Sequence, residues 1–261
     1  MPKFSANLTM MFQEVPFLKR FAASAKAGFK AVEFMFPYEY AIDELQKVLQ
    51  AADQKIVLFN LPAGDWAGGD RGIAVDPART AEFVAGVEKA VKYAKILGVP
   101  QVNCLVGKKL ADIPAAEQRR TMIANLRLAA DAMAEVSVKL LVEPLNSRDM
   151  PGFTLNTTAQ ALEVLAEAGH ENIFLQYDVY HAQRMEGELA GILRNNLAKI
   201  AHIQIADNPG RHQPGTGEIN YRWLLEDFDN AGYKGYVGLE YIPTPDSLSS
   251  LEWISDYGYS L

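Results

Sequence analysis

One pattern repeats eight times along the chain and constrains the fold more than any other feature. Short apolar runs begin at Phe4 (FSANLTM), Ala31 (AVEFMF), Ile56 (IVLFNL), Gln101 (QVNCLVG), Leu140 (LLVEPLN), Ile173 (IFLQYDVY), Ile200 (IAHIQIAD) and Tyr236 (YVGLEYI). Most place apolar residues at adjacent positions instead of alternating them. Strands buried on both faces of a parallel sheet read this way. Between the runs lie amphipathic segments rich in Ala, Leu, Lys and Glu. One carries Pro77 at its start and stops at Gly98; another is capped by Thr157 or Thr158 and stops at Gly169. Pro-in, Gly-out punctuation marks helices. Eight strand–helix alternations in 261 residues predict an α/β fold, a (β/α)₈ TIM barrel, with residues 1–261 as a single domain. An open doubly wound sheet is the competing arrangement. Its usual phosphate fingerprints, GxGxxG and GxxxxGK[ST], are absent, as is GxSxG.

Charge narrows the partners. Twenty-five Lys and Arg against 32 Asp and Glu leave −7, which disfavours nucleic acid. No apolar stretch approaches the roughly 20 residues of a membrane helix, so no membrane partner is expected. The single cysteine, Cys104, excludes an internal disulfide and a zinc–cysteine cluster, and reads as a core residue. With no signal-peptide pattern at the N-terminus, a cytoplasmic location is expected. Asn7-Leu8-Thr9 and Asn156-Thr157-Thr158 match the glycosylation pattern by chance in such a chain. The sequence leaves a homo-oligomer open.

Barrel sites form at the C-terminal ends of the strands, so polar residues late in the apolar runs are the informative ones. Glu33, Glu143, Asp178, Gln204 and Glu240 all sit there. Burying one unpaired carboxylate costs several kcal/mol. A single case is commonly an ion pair or a backbone contact. Several acids converging on one barrel mouth repel one another unless a cation lies between them, and few basic residues occupy the strand ends. A metal ion is the economical answer. Two Glu, one Asp and one Gln offer only oxygens, which suits a divalent ion such as Mg²⁺ or Mn²⁺ better than Zn²⁺. Of the four histidines, His170 ends a helix and is expected at the surface. His202 shares a face with Gln204 one layer deeper and is expected to be a hydrogen-bonded core residue. His181, three past Asp178, is placed to touch substrate.

The strings EPLN at Glu143, DVYH from Asp178 to His181, HIQIADNPGRHQPGTGEINY and GLEY at Glu240 closely resemble the hydroxypyruvate isomerase family. VEFMFPY, NLPAGDWAGGDRGIA and QRMEGEL extend the resemblance over nearly the whole chain. That family is grouped with the xylose isomerase-like barrels, the ketose 3-epimerases and endonuclease IV. The resemblance implies metal ligands at Glu143, Asp178, Gln204 and Glu240, and an acid/base pair at Glu143 and Glu240. The related epimerases carry His where this chain has Gln204. Their substrate-contacting His matches His181, and their Arg is matched most nearly by Arg211. It implies an aldose–ketose type isomerase, interconverting hydroxypyruvate and tartronate semialdehyde through an enediolate. Isomerisation of 2-oxotetronate and 3-epimerisation of a small ketose are neighbouring activities.

A small hydroxy-oxo acid brings a carboxylate, which needs a cation. Arg71, Lys108, Arg184 and Arg211 all follow barrel strands; Arg211 and Arg71, in Gly-rich loops, are the preferred pair. Trp66 and the glycines around it form a candidate lid that excludes water. A nuclease of the endonuclease IV kind needs a histidine-rich, three-metal cluster. A ligand-binding barrel needs no opposed carboxylates.

Overall fold

The computed structural model describes residues 1–261. Eight parallel strands close into a barrel in sequence order: β1 (Lys3–Asn7), β2 (Ala31–Glu33), β3 (Lys55–Asn60), β4 (Gln101–Cys104), β5 (Lys139–Val142), β6 (Ile173–Asp178), β7 (Ile200–Ile205) and β8 (Tyr236–Leu239). β1 pairs with both β2 and β8, so no strand edge is left open. The outer ring comprises α1 (Phe17–Lys26), α2 (Ile42–Ala52), α3 (Thr80–Leu97), α4 (Ala115–Ala134), α5 (Thr158–Ala168), α6 (Val179–Met185), α7 (Leu189–Asn196), α8 (Tyr221–Asn230) and α9 (Glu252–Asp256). The β6–β7 crossover thus holds two short helices where the repeat predicts one. No helix is long and apolar enough to cross a membrane.

Local chemistry accounts for the helix ends. Asp76 accepts the Ala78 N–H and opens a 3₁₀ turn containing Pro77, which runs into α3; Gly98 closes α3 at φ +68°. Of the two threonines, Thr157 is the cap of α5, its hydroxyl accepting the Gln160 N–H. The apolar strand positions and the inner helix faces form one continuous core, which includes Cys104. Burial pushes the Cys104 thiol up to about 12, as befits a packing residue.

Register sets the layers inside the barrel. Asp178 pairs with Gln204 and, one layer down, Gln176 pairs with His202. Asn7 pairs with Glu33, and Ser5 with Gly238. Side chains two apart share a face. The barrel interior therefore carries a lower polar layer below an upper one at the C-terminal mouth.

Candidate active site

The mouth gathers its acids from the ends of β5, β6 and β8. Asp178 is the last residue of β6, while Glu143 and Glu240 stand one residue beyond β5 and β8. One ligand atom from each of Glu143, Asp178, His181 and Glu240 lies within 4.8 Å of the others, and all four residues are buried. Neighbouring amides steady the carboxylates. Asn103 Nδ2 donates to Glu143 Oε2 at 2.9 Å, and Asn7 Nδ2 to Glu240 Oε1 at 3.1 Å. Asp178 Oδ1 caps α6, accepting the Tyr180 N–H at 2.7 Å. Its other oxygen, Oδ2, is buried and has no hydrogen-bond partner.

A cation does enter this cluster from the protein itself. Arg211, held at φ +58° in the loop after β7, turns inward and pairs with Glu240 Oε2; its Nη2 stands 3.6 Å from Asp178 Oδ2. Strand-end residues alone give no hint of it, because the guanidinium reaches in from a loop. Three carboxylates against one guanidinium still leave a surplus of two negative charges if all ionise. Burial pushes Glu143 well above the usual carboxylate range, and the charges of Glu240 and Asp178 add to it. Glu240 is raised to about 8, chiefly by burial, with Arg211 opposing and Asp178 and Glu33 adding. Burial works against the Arg211 charge, but Glu240, Asp178 and Glu143 together hold its pKa up. A bare Asp178 oxygen, oxygen-only acid donors and a surplus charge of two fit a hard divalent ion, so the cluster can hold a metal.

His181 belongs to the site in a different capacity. Its Nδ1 accepts the Asn146 backbone N–H at 3.1 Å, so in the neutral ring the proton sits on Nε2. Burial lowers its pKa to about 4, which keeps the ring neutral near pH 7. Nε2 stands 3.5 Å from Asp178 Oδ2 without hydrogen-bonding it. The contact is that of a neutral donor beside an acid, not an ion pair, and this tautomer has no free Nε2 lone pair for a metal.

Met35, Asn60, Trp66, Leu105, Leu145 and Met150 wall the space above these groups, which amounts to about 30 Å³. That holds little more than a water. Trp66 roofs it, packed edge-on against Phe36 at 5.1 Å. Arg71 does not line the cavity. Its guanidinium stacks 4.0 Å from the Trp66 ring and donates to the Trp66 and Asp70 carbonyls. Lys108 bonds the Gly69 carbonyl, and Arg184 pairs with Asp149.

Gln204 lies in the upper layer but is drawn downward. Its Nε2 donates to Glu33 Oε1 at 2.8 Å, and its Oε1 accepts from Gln176 Nε2 at 2.6 Å. Glu33 stands apart from the mouth cluster, fully buried and bonded by Ser5, Asn7, His202 and Gln204. His202 is the hydrogen-bonded core residue expected. His170 lies at the surface past the end of α5, partly exposed, with its Nε2 beside Asp131. Asn7 is buried and turned inward, which removes it as a glycan acceptor.

Four amides shape the site beyond the acids that the strand ends single out: Asn7, Asn60, Asn103 and Gln176. Each is a polar residue late in an apolar run, in FSANLT, IVLFNL, QVNCLV and IFLQYD. They carry the same signal as the acids.

The signature of the xylose isomerase-like TIM barrels matches residues 21–257. Hydroxypyruvate isomerase of Escherichia coli is 49% identical over 98% of this chain and 100% of its own length. The 2-oxo-tetronate isomerase of Cupriavidus necator is 44% identical over 98% and 99%. A crystal structure described as an AP endonuclease, family 2, from Brucella melitensis superposes with a TM-score of 0.96 at 40% identity, covering 98% of this chain and 99% of that one. The chain belongs to the xylose isomerase-like TIM barrel family. Its full-length relatives within that family include hydroxypyruvate isomerases and 2-oxo-tetronate isomerases, and it is an isomerase.

Proposed function

We propose that the chain interconverts hydroxypyruvate and tartronate semialdehyde, with Glu143 and Glu240 as the proton-transfer pair. One glutamate removes a proton from the hydroxymethyl carbon, leaving an enediolate. The other delivers a proton to the former carbonyl carbon, while the hydroxyl proton passes to the neighbouring oxygen. Two buried glutamates whose carboxylate oxygens lie within 4.8 Å of one another carry this reading: a pair so placed can take a proton from one carbon and return one to its neighbour.

Glu143, Asp178, Gln204 and Glu240 would hold a divalent ion, Mg²⁺ or Mn²⁺. Bound there, it would draw charge from the substrate's carbonyl and hydroxyl oxygens and favour the carboxylate form of both glutamates. His181 would donate its Nε2–H to a substrate oxygen. Arg211 would exchange its contact with Glu240 for the substrate carboxylate, which suits a planar bidentate guanidinium. Arg71 would act from outside, fixing Trp66 as the roof that excludes water. A three-carbon acid is larger than the present cavity, so Trp66 and its loop would open to admit it.

The named activities of the relatives make the four-carbon 2-oxo-tetronate the second substrate to consider. The nuclease alternative finds little support, since of the four histidines His181 alone joins the acid cluster at the mouth. The test is turnover on a panel of short hydroxy-oxo acids and six-carbon ketoses, with and without Mg²⁺ or Mn²⁺. Metal-dependent turnover of hydroxypyruvate is expected. Turnover confined to ketoses would make the chain an epimerase, and no turnover of any would overturn the reading.

A further inference from the structure

We propose that Glu33 is a positioning residue that fixes which end of the Gln204 amide is left for a cation. The proposal rests on the metal reading above and extends it to a residue below the mouth. A glutamine ligand has a weakness that a carboxylate lacks. Its oxygen can bind a cation, but turned over about its last bond it presents an NH₂ group that repels one. Something must choose the end.

The lower layer makes that choice. Glu33 is fully buried and receives four donors: Ser5 Oγ at 2.8 Å, His202 Nε2 at 2.8 Å, Gln204 Nε2 at 2.8 Å and Asn7 Nδ2 at 3.3 Å. All four partners are placed as donors, so both carboxylate oxygens act as acceptors. The chain reserves the space for it. A Cβ at position 238 would lie 2.3 Å from Glu33 Oε1 and 2.4 Å from Oε2, so β8 carries Gly238 there. His202 agrees with the assignment, because its Nδ1 is buried with no partner, as an unprotonated nitrogen with Nε2–H on Glu33 would be.

With Glu33 accepting from every partner, Gln204 offers it the NH₂, and the amide oxygen is the end left free of Glu33. That oxygen, Oε1, takes one bond from Gln176 Nε2 at 2.6 Å and keeps a second lone pair. Gln204 is the register partner of Asp178, whose Oδ2 is the buried oxygen without a hydrogen bond. The two oxygens with unspent lone pairs thus belong to register partners on β6 and β7.

Glu33→Gln tests the idea at constant size. The introduced amide has its own NH₂ to place, so Gln204 is free to turn its oxygen downward. Mn²⁺ affinity of the folded variant, measured by calorimetric titration, is expected to fall about 10- to 100-fold, the usual effect of removing an outer partner of a metal ligand. Adding Gln204→Glu to that variant is the decisive step. A carboxylate has no wrong end, accepts from the amide introduced below it, and should restore Mn²⁺ binding. A folded Glu33→Gln protein with wild-type affinity overturns the proposal. So does a loss that Gln204→Glu fails to recover, since Glu33 would then matter only for packing. Neutron diffraction of the wild-type protein gives a check independent of any variant's folding: both Gln204 amide deuterons should lie on the Glu33 side, and deuterons turned away refute the assignment. If wild-type protein binds no Mn²⁺ while the deuterons lie as expected, the metal reading fails and the orientation by Glu33 stands.

Discussion

The barrel buries acids in two layers, and the layers are built on opposite terms. In the lower one, Glu33 has no exposure and four donors, and Gly238 clears the room its carboxylate fills. In the upper one, Glu143, Asp178 and Glu240 crowd within 4.8 Å, share the single guanidinium of Arg211, and leave Asp178 Oδ2 without a hydrogen bond. Burial raises the proton affinity of the upper glutamates. Burial of an acid therefore does not mark a site by itself. The shortage of donors around it does, because an uncompensated desolvation cost persists only where a ligand or a reaction makes use of it.

If the two layers differ as described, the same kind of substitution should have opposite consequences in each. The largest effect is on turnover. Glu143→Gln and Glu240→Gln should each lower kcat by about 10²- to 10⁴-fold, the usual contribution of general acid–base catalysis, with the fold intact by circular dichroism. The double variant should be little worse than the worse single one, because the pair acts as one relay. One single variant is expected to keep exchanging the substrate's carbon-bound proton with deuterated solvent while losing net isomerisation. Near-normal turnover in both would remove the functional meaning of the upper layer.

Stability separates the layers next. Glu33→Leu strands four buried donors and should destabilise by about 3–5 kcal/mol in denaturant unfolding. Asp178→Asn keeps the cap on α6 and relieves repulsion, so metal-free protein should lose no stability. What it should lose is the added stability conferred by Mn²⁺. Equal losses at both positions would erase the distinction.

The smallest effect is on pH. Both upper glutamates bind protons more tightly folded than unfolded, Glu240 up to about 8 against an ordinary 4.5. Their contribution to stability is present below about pH 4.5 and lost as pH rises toward 8. The gap in melting temperature between Mn²⁺-loaded and metal-free protein should therefore widen from pH 5 to pH 8. A constant gap would mean that these carboxyls are not strained by burial.

Much of this was legible in the sequence. The eight strands show because two-sided burial writes unbroken apolar runs, and the helix ends at Gly98 and Thr157 show because caps are local chemistry. The candidate acids show because carboxylates are costly in such runs. Depth was not legible: a period of two gives the face of Glu33 but not its layer, which depends on pairing with Asn7 and on a register shift between Val32 and Glu33. Nor was the inward turn of Arg211. Its loop is folded by Asp207, which accepts backbone N–H groups from Asn208, Gly215, Gly217 and Ile219. Arg71 reads as a substrate cation in the sequence, and only the three-dimensional stack shows it committed to Trp66.

The claim that the upper layer is a divalent-ion site for proton transfer is tested most directly by metal removal. Protein would be chelated exhaustively, shown metal-free by elemental analysis, and assayed on hydroxypyruvate before and after stepwise return of Mg²⁺ or Mn²⁺. Turnover should vanish on removal and return in proportion to metal, levelling at one ion per chain. Full turnover in protein verified as metal-free would contradict the account.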